Sequence, residues 1–346
     1  MLMMSMNLDS AKEKIYSTKQ SWRKAVAPYQ NSDLKRSIWQ LINTLVPYIL
    51  LWSLMLWSLN VSYWLTLLLS IPTGGFMVRT FIIFHDCGHG SFFKSRKANE
   101  IIGFITGIVT FTPYHHWRHN HAVHHATAGD LDRRGTGDVW TATVAEYLSF
   151  PKWKRAFYRI YRNPFVMFLV NPVLLFGVGH RFAGKQAKRR ERMSVYWTNL
   201  ILLVILVLAH FTIGLKAFFM VQLPILWIGT AAGVWLFYVQ HNFDGMYWER
   251  HEKWDFVKAG LEGSSFYKLP KLLQWFTGNI GFHHIHHLSP RIPNYLLELC
   301  HLENPILQVR PVTFFSSMKS LTFRLWDEKT RKLVGYRWLK FEAMEV

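Results

Sequence analysis

The stretch SYWLTLLLSIPTGGFMVRTFIIFHDCGH, residues 62–89, carries two signals in direct succession. Residues 62–84 are apolar for long enough to cross a hydrocarbon core about 30 Å thick, which takes about 20 helical residues. The stretch then runs straight into His85 and His89. At i, i+4 on a helix these two imidazoles stack one turn apart on one face. A membrane span therefore ends in a pair of metal-type ligands.

Working outward, three more stretches reach the same length and apolarity, at 37–59, 195–213 and 218–240. The first pair of spans is joined by a turn around Asn60 and the second by a short link around Gly214, so each pair reads as a transmembrane hairpin. The fold class expected is an all-α integral membrane protein with four transmembrane helices. Arg79 lies near the end of its span and is expected to snorkel toward water. Two weaker apolar stretches remain. Residues 101–113 are too short to span, and 163–182 are interrupted by Pro164, Pro172 and glycines. Both read as interfacial or re-entrant helices, with a fifth span at 163–182 as the alternative.

Composition supports this class. Of 346 residues, half are hydrophobic and 16% aromatic, including 16 Trp and 26 Phe, more than a soluble core of this size needs. A formal net charge of +19 in so apolar a chain excludes an ordinary nucleic-acid binder and reads as positive-inside bias. The two hairpin tips carry only Lys216, whereas every other segment outside the spans is rich in Lys and Arg. Both termini and the central region are thus expected in the cytoplasm. Residues 1–36 hold Lys12, Lys14, Lys19, Arg23, Lys24, Lys35 and Arg36 and no apolar h-region, so they read as a cytosolic segment and not a cleavable signal. The expected organisation is this segment, a membrane body at 37–310 whose cytosolic cap comprises 85–194 and 241–310, and a cytosolic C-terminal segment at 311–346. The run Lys185–Arg192 reads as a headgroup-facing basic patch. Cys87 and Cys300 are isolated, which argues against a disulfide framework or a Cys-based metal site.

Seventeen histidines occur, and twelve fall in three windows, 85–89, 115–125 and 283–287. His121, His124 and His125 are spaced i, i+3, i+4, and His283, His286 and His287 repeat that spacing. With His85 and His89 they make eight ligands on convergent faces, too many for one first-row ion, which takes four to six and keeps a position open when catalytic. Two metals is the natural count, and imidazole suits iron, zinc, copper and nickel alike. The three windows meet on one membrane face only if an even number of spans separates them. His115, His116, His119 and His284 lie inside the windows but outside the repeated pattern, while His180, His210, His251 and His301 read as ordinary histidines. Asp86 can either orient a ligand imidazole or cap its helix, and Cys87 reads as a packing residue.

In order, spacing and context the motifs HDCGH (85–89), HAVHH (121–125) and HHIHH (283–287) resemble the three histidine boxes of the membrane fatty acid desaturase family, over about residues 37–310. The stretches GTGDVW (135–140), EGSSFYKLPKLLQW (262–275) and GNIGFHHIHHLSPRIPNY (278–295) are similar to bacterial delta-5 acyl-lipid desaturases of the Bacillus type. The resemblance implies a cytosolic cap holding two irons, O2 as co-substrate, and a cis double bond made in saturated chains already esterified to membrane lipids. It further implies a ninth ligand at His241, within YVQHNF. Four residues earlier, where acyl-CoA relatives carry an asparagine that helps hold one iron through water, this chain has Phe237. No HPGG haem motif of a fused cytochrome b5 domain occurs, so the resemblance points to a separate ferredoxin or flavodoxin as electron donor. Removing hydrogen from unactivated methylenes is beyond amino-acid acids and bases, so no side chain outside the metal ligands His85, His89, His121, His124, His125, His241, His283, His286 and His287 is expected to act chemically. An apolar tunnel is expected to hold the chain, with Trp52, Trp57 and Trp64 facing lipid instead. A related hydroxylase or ketolase is the alternative. A metal transporter fits poorly, because the ligands lie at or beyond the span ends.

Overall fold

The computed structural model describes residues 21–339. Lys12, Lys14, Lys19 and the outer parts of the segments 1–36 and 311–346 lie outside the described residues. Among the described residues four helices are long and apolar enough to cross a membrane: Leu34–Ser58, Tyr63–His89, Arg189–Thr212 and Leu215–His241, here the first to fourth spans. All four start or end beyond the apolar windows, because a helix continues wherever its backbone bonds continue, whether in lipid or in protein. The second and fourth spans consequently carry their terminal histidines, His85, His89 and His241, on the same rigid rods that cross the bilayer. The second span ends where Gly90 takes φ 71°, a left-handed cap in which Ser91 N donates to Asp86 O at 3.0 Å.

The second span is the axis of the bundle, packed against the first and the fourth. Glycines set how closely the second and fourth approach. A Cβ at Gly74 would lie 2.6 Å from Ile228 Cγ2, and one at Gly229 would lie 2.9 Å from Met77 Sδ. The third span exposes Leu200, Leu203, Val207 and Phe211, as expected of a lipid-facing helix. Trp57 and Trp64 are exposed too; Trp52 is half-buried and does not line the cavity described below, and its indole Nε1 donates to Gln222 Oε1 across the bundle at 3.1 Å. An indole N–H turned away from water needs a partner, and the fourth span supplies it.

Arg79 departs from expectation. It does not snorkel; it is buried, donates to Thr44 Oγ1 at 3.1 Å and to Trp275 O, and lies over the Trp275 ring at 3.9 Å. A hydroxyl, one main-chain carbonyl and an aromatic face replace water around the guanidinium. It thereby ties the first two spans to the cap helix Lys271–Phe276. Arg79→Leu is expected to cost about 2 kcal/mol, from the lost charged hydrogen bonds and cation–π contact, read as a lower melting temperature in detergent.

Beyond the spans lies a cap of short elements. The helix Arg96–Val109, in place of the weak apolar stretch at 101–113, packs on the second span, and the helix Tyr114–Thr127 follows it. Residues 152–181 form two helical pieces bent by 60°, with a π-turn at Val166–Val170. Because the third and fourth spans lie between the second and third histidine windows, and those windows meet, residues 152–181 enter and leave on one side. The segment after residue 310 packs on the rest of the chain. Phe266–Lys268 pairs in parallel with Pro311–Thr313, and Trp326 is fully buried. The buried Arg162 donates to Thr141 Oγ1, Tyr238 OH and Phe323 O, joining the cap, the fourth span and the C-terminal segment.

Candidate metal centre

Nine imidazoles converge from four helices. His85 and His89 leave the end of the second span, and His241 is the last residue of the fourth. His121, His124 and His125 share one face of Tyr114–Thr127, and His283, His286 and His287 come from the short, wholly buried helix His283–Leu288. They divide into two groups. His85, His89, His121, His125 and His286 form one; His124, His241 and His287 form the other, within each of which ligand atoms lie within 4.8 Å of one another. His283 joins the second group, with its Nε2 3.0 Å from His241 Nε2. The groups adjoin where the His125 and His287 rings stack at 4.1 Å.

The contacts within each group identify what the rings can hold. His125 Nε2 lies 3.1 Å from His121 Nε2 and 3.0 Å from His286 Nε2, and His241 Nε2 lies 3.1 Å from His124 Nε2. Two ligands about 2.0–2.1 Å from one ion, meeting it near a right angle, stand about this far apart. His124 Nδ1 donates to Asp138 Oδ1 at 2.5 Å, so in the neutral ring its Nε2 presents a lone pair, as a metal requires. Burial first, and then the neighbouring imidazoles, hold His121, His125, His283, His286 and His287 well below the usual histidine pKa. Neutral rings with inward lone pairs suit one first-row cation per group, with five and four imidazoles respectively.

Two carboxylates support the rings. Asp86 lies 3.2 Å from His85 Nδ1 through Oδ1, while Oδ2 accepts from Asn294 N at 2.7 Å and Asn294 Nδ2 at 2.9 Å. It therefore orients an imidazole, and Gly90 does the capping. Asp138 does the same for His124 from a loop, a role that nothing in the spacing of GTGDVW announces. Asp138→Ala is expected to weaken metal binding about 10–100-fold, chiefly in the second group, measured as metal retained per chain after dialysis against a chelator. Trp117, also missed in the sequence, stacks on His121 at 4.3 Å, and Phe237 packs 5.1 Å from both His124 and His241. Where an asparagine would bring in water, Phe237 brings an apolar ring.

The remaining histidines lie outside both groups. His115 and His116 are half-buried, and His116 Nε2 accepts from Gly184 N at 3.4 Å. His119 faces Glu191 at 3.9 Å, and His284 points away toward Phe266 and His301, with burial lowering its pKa to about 3. His180 borders Phe176, His210 borders Phe211, and His251 pairs with Asp130 at 2.7 Å. Cys87 and Cys300 are free and buried in apolar clusters.

A cavity of about 760 Å³ opens beside the centre, touching His85, His121 and His283 and running between the second and fourth spans to Met77 and Gly229. Its wall is mostly apolar, with Phe81, Trp117, Phe176 and Phe237 among the aromatics. That size and lining suit a single long hydrocarbon chain.

The profile of the family described as "Fatty acid desaturase" matches residues 62–315. The chain is 49% identical, over 92% of its length and 90% of the relative's, to the "Fatty acid desaturase" of Bacillus subtilis (strain 168). It is 29% identical to the "sn-2 acyl-lipid omega-3 desaturase (ferredoxin), chloroplastic" of Arabidopsis thaliana, over 72% of this chain and 56% of that one. To the "sn-1 oleoyl-lipid 12-desaturase" of Anabaena variabilis it is 28% identical, over 71% of this chain and 70% of the relative.

Proposed function

We propose, because this chain belongs to the fatty acid desaturase family, that it is an O2-dependent acyl-lipid desaturase that introduces a cis double bond, at delta-5, into saturated acyl chains of membrane phospholipids. The observation that carries this reading is the joining of two imidazole groups to one apolar cavity. A hydrocarbon lying there passes His85, His121 and His283.

The nine histidines His85, His89, His121, His124, His125, His241, His283, His286 and His287 would hold two iron ions. Bound iron supplies the oxidising capacity, drawn from O2 and donor electrons, that unactivated C–H bonds require. The chain's own residues do the rest. Asp86 and Asp138 hold two of the rings at fixed angles, so the ligand set is organised before metal or substrate arrives. Phe81, Phe237 and Ile280 present an apolar wall that excludes water and holds one methylene pair beside the centre. The relatives whose names specify acyl lipids and ferredoxin support a lipid-bound substrate and a ferredoxin donor, with a flavodoxin as the other carrier of the same kind. The basic cap supports docking of an acidic carrier on the cytoplasmic face of the cell membrane. Such an activity would adjust membrane fluidity.

The test is expression in a host without desaturases, followed by mass spectrometry of membrane-lipid acyl chains with derivatised double bonds. New monounsaturated chains, unsaturated at carbon 5, are the expected result. Hydroxylated or keto chains in their place would assign the site to a hydroxylase or ketolase.

A further inference from the structure

One wall of the cavity is unlike the others. The second and fourth spans, the helix Tyr114–Thr127 and the loop around Gly137–Val139 enclose most of it. The remaining wall is Asn171–His180, part of the bent segment that enters and leaves on one side. Leu174 and Leu175 both line the cavity and stand 53% and 48% exposed, so at these residues the cavity is confluent with the outside. Around them Val170, Val178 and Phe182 present further exposed apolar surface. Such a surface belongs in lipid.

The element leading into this wall fixes its depth. Lys152–Tyr161 exposes Trp153, Phe157 and Ile160, at i, i+4, i+7, and carries Lys152, Lys154, Arg155 and Arg159 on its other faces. A helix of this kind lies in the headgroup region, parallel to the membrane. Its last residue, Tyr161, lines the cavity. The wall therefore begins at headgroup level and faces the acyl region. At its other end His180 and the nearby His116 line the cavity, and Gly184 N donates to His116 Nε2. The chain then enters the run Lys185–Arg192, in which Lys185, Lys188 and Arg189 are exposed. The neighbouring carboxylates are already engaged: Glu191 accepts from Lys188 N and Glu100 pairs with Arg190.

From this arrangement we infer a lateral lipid-entry site. A bilayer phospholipid slips one acyl chain sideways into the cavity between Leu174 and Gly179, while its phosphate rests on the cationic turn of Lys185, Lys188 and Arg189. The inference rests on the acyl-lipid reading above and adds how the substrate gets in and which group anchors it. The lipid never leaves the bilayer, so neither a soluble carrier nor extraction into water is needed. Hydrophobic continuity serves the chain, and charge complementarity serves the phosphodiester. The segment suits a gate as well as a wall. A π-turn precedes it, Pro172 lacks an N–H to bond, and Gly177 has nothing within 4 Å of where its Cβ would lie.

The experiment uses the full chain in vesicles of phosphatidylcholine and phosphatidylglycerol, without electron donor. They are doped with a phosphatidylglycerol whose saturated chain ends in a diazirine. After photolysis, peptide mapping locates the adducts. The expected adducts fall deep in the cavity, near Met77 and Gly229–Gly233. Leu175→Trp and Gly179→Trp, each with metal content like the parent, are expected to reduce them to background. Joint replacement Lys185→Glu, Lys188→Glu and Arg189→Glu is expected to lower labelling about a hundredfold, each of the three phosphate-facing charges being worth about fivefold. A diacylglycerol probe lacking phosphate is expected to label weakly and to ignore the charge reversal. Deep adducts undiminished in both Trp variants would overturn the portal. Equal labelling by the two probes in the parent would overturn the phosphate anchor. Lipid desaturation by the parent is scored separately, so a parent that desaturates while its Trp variants keep their deep adducts rejects the portal alone. A parent that labels deeply but never desaturates rejects the desaturase reading alone.

Discussion

Replacing His286 by Ala is expected to lower bound iron and bring turnover below detection while the protein still inserts and folds. His286 sits in the five-imidazole group, 3.0 Å from His125 and in ring contact with His85 and His89 at 4.5 and 4.8 Å. Removing it opens a gap in the middle of the group. The backbone loses little, because His286 lies in a short helix whose neighbours Ile285 and Leu288 are themselves core residues. The measurements are iron per purified chain and acyl-chain analysis of the expressing host, with membrane extraction and melting temperature as fold controls. Full activity in this variant would sink the ligand assignment. His284→Ala is the matching control: His284 is as buried and one helix face away, so it is expected to retain iron.

Gly233→Phe is expected to move the double bond toward the methyl end, or to restrict the enzyme to shorter chains. Gly233 lines the cavity, and nothing lies within 4 Å of where its Cβ would be, so a large side chain there grows into the space meant for hydrocarbon. It lies eight residues before His241, and Met77 lies eight before His85. At 1.5 Å rise per residue both stand about 12 Å along the spans from the histidine level. An extended chain advances about 1.3 Å per bond, from C–C bonds of about 1.5 Å, so a stop at that depth leaves room for roughly nine carbons beyond the reacting pair. Because the carboxyl end stays with the lipid headgroup, a shorter cavity places carbons nearer the methyl end beside the centre. The reading is the position of the double bond across chain lengths. An unchanged position at unchanged rate would show that this part of the cavity does not hold the chain. Gly229 offers no such test, since a Cβ there would strike Met77 and disturb the span packing itself.

Much of this was legible in the residues. Each apolar stretch was long enough to span by itself, and each histidine box repeats at helical spacing, so spans and ligand faces could be read from local periodicity. The convergence of the boxes required an even number of crossings between them, which left residues 163–182 on one side. Where the reading strayed, the cause was a partner distant in sequence. Arg79 stays inside because the Trp275 carbonyl and ring reach it. That partner cannot be foreseen from a hydropathy window. Residues 311–339 meet the cap through a partner just as distant, in a parallel pairing with Phe266–Lys268.

By itself the sequence determined that the chain is a four-span helical membrane protein and that its imidazoles come in sets at metal-ligand spacing, because both properties follow from the rise and pitch of a single helix. Only the tertiary structure decided how nine rings divide into five and four, that Asp138 steers His124, and that a cavity between the second and fourth spans ends at Met77 and opens beside Leu174. Those depend on how helices distant in the chain pack against one another, and the close approach of glycine to methionine that sets it has no signature along the sequence.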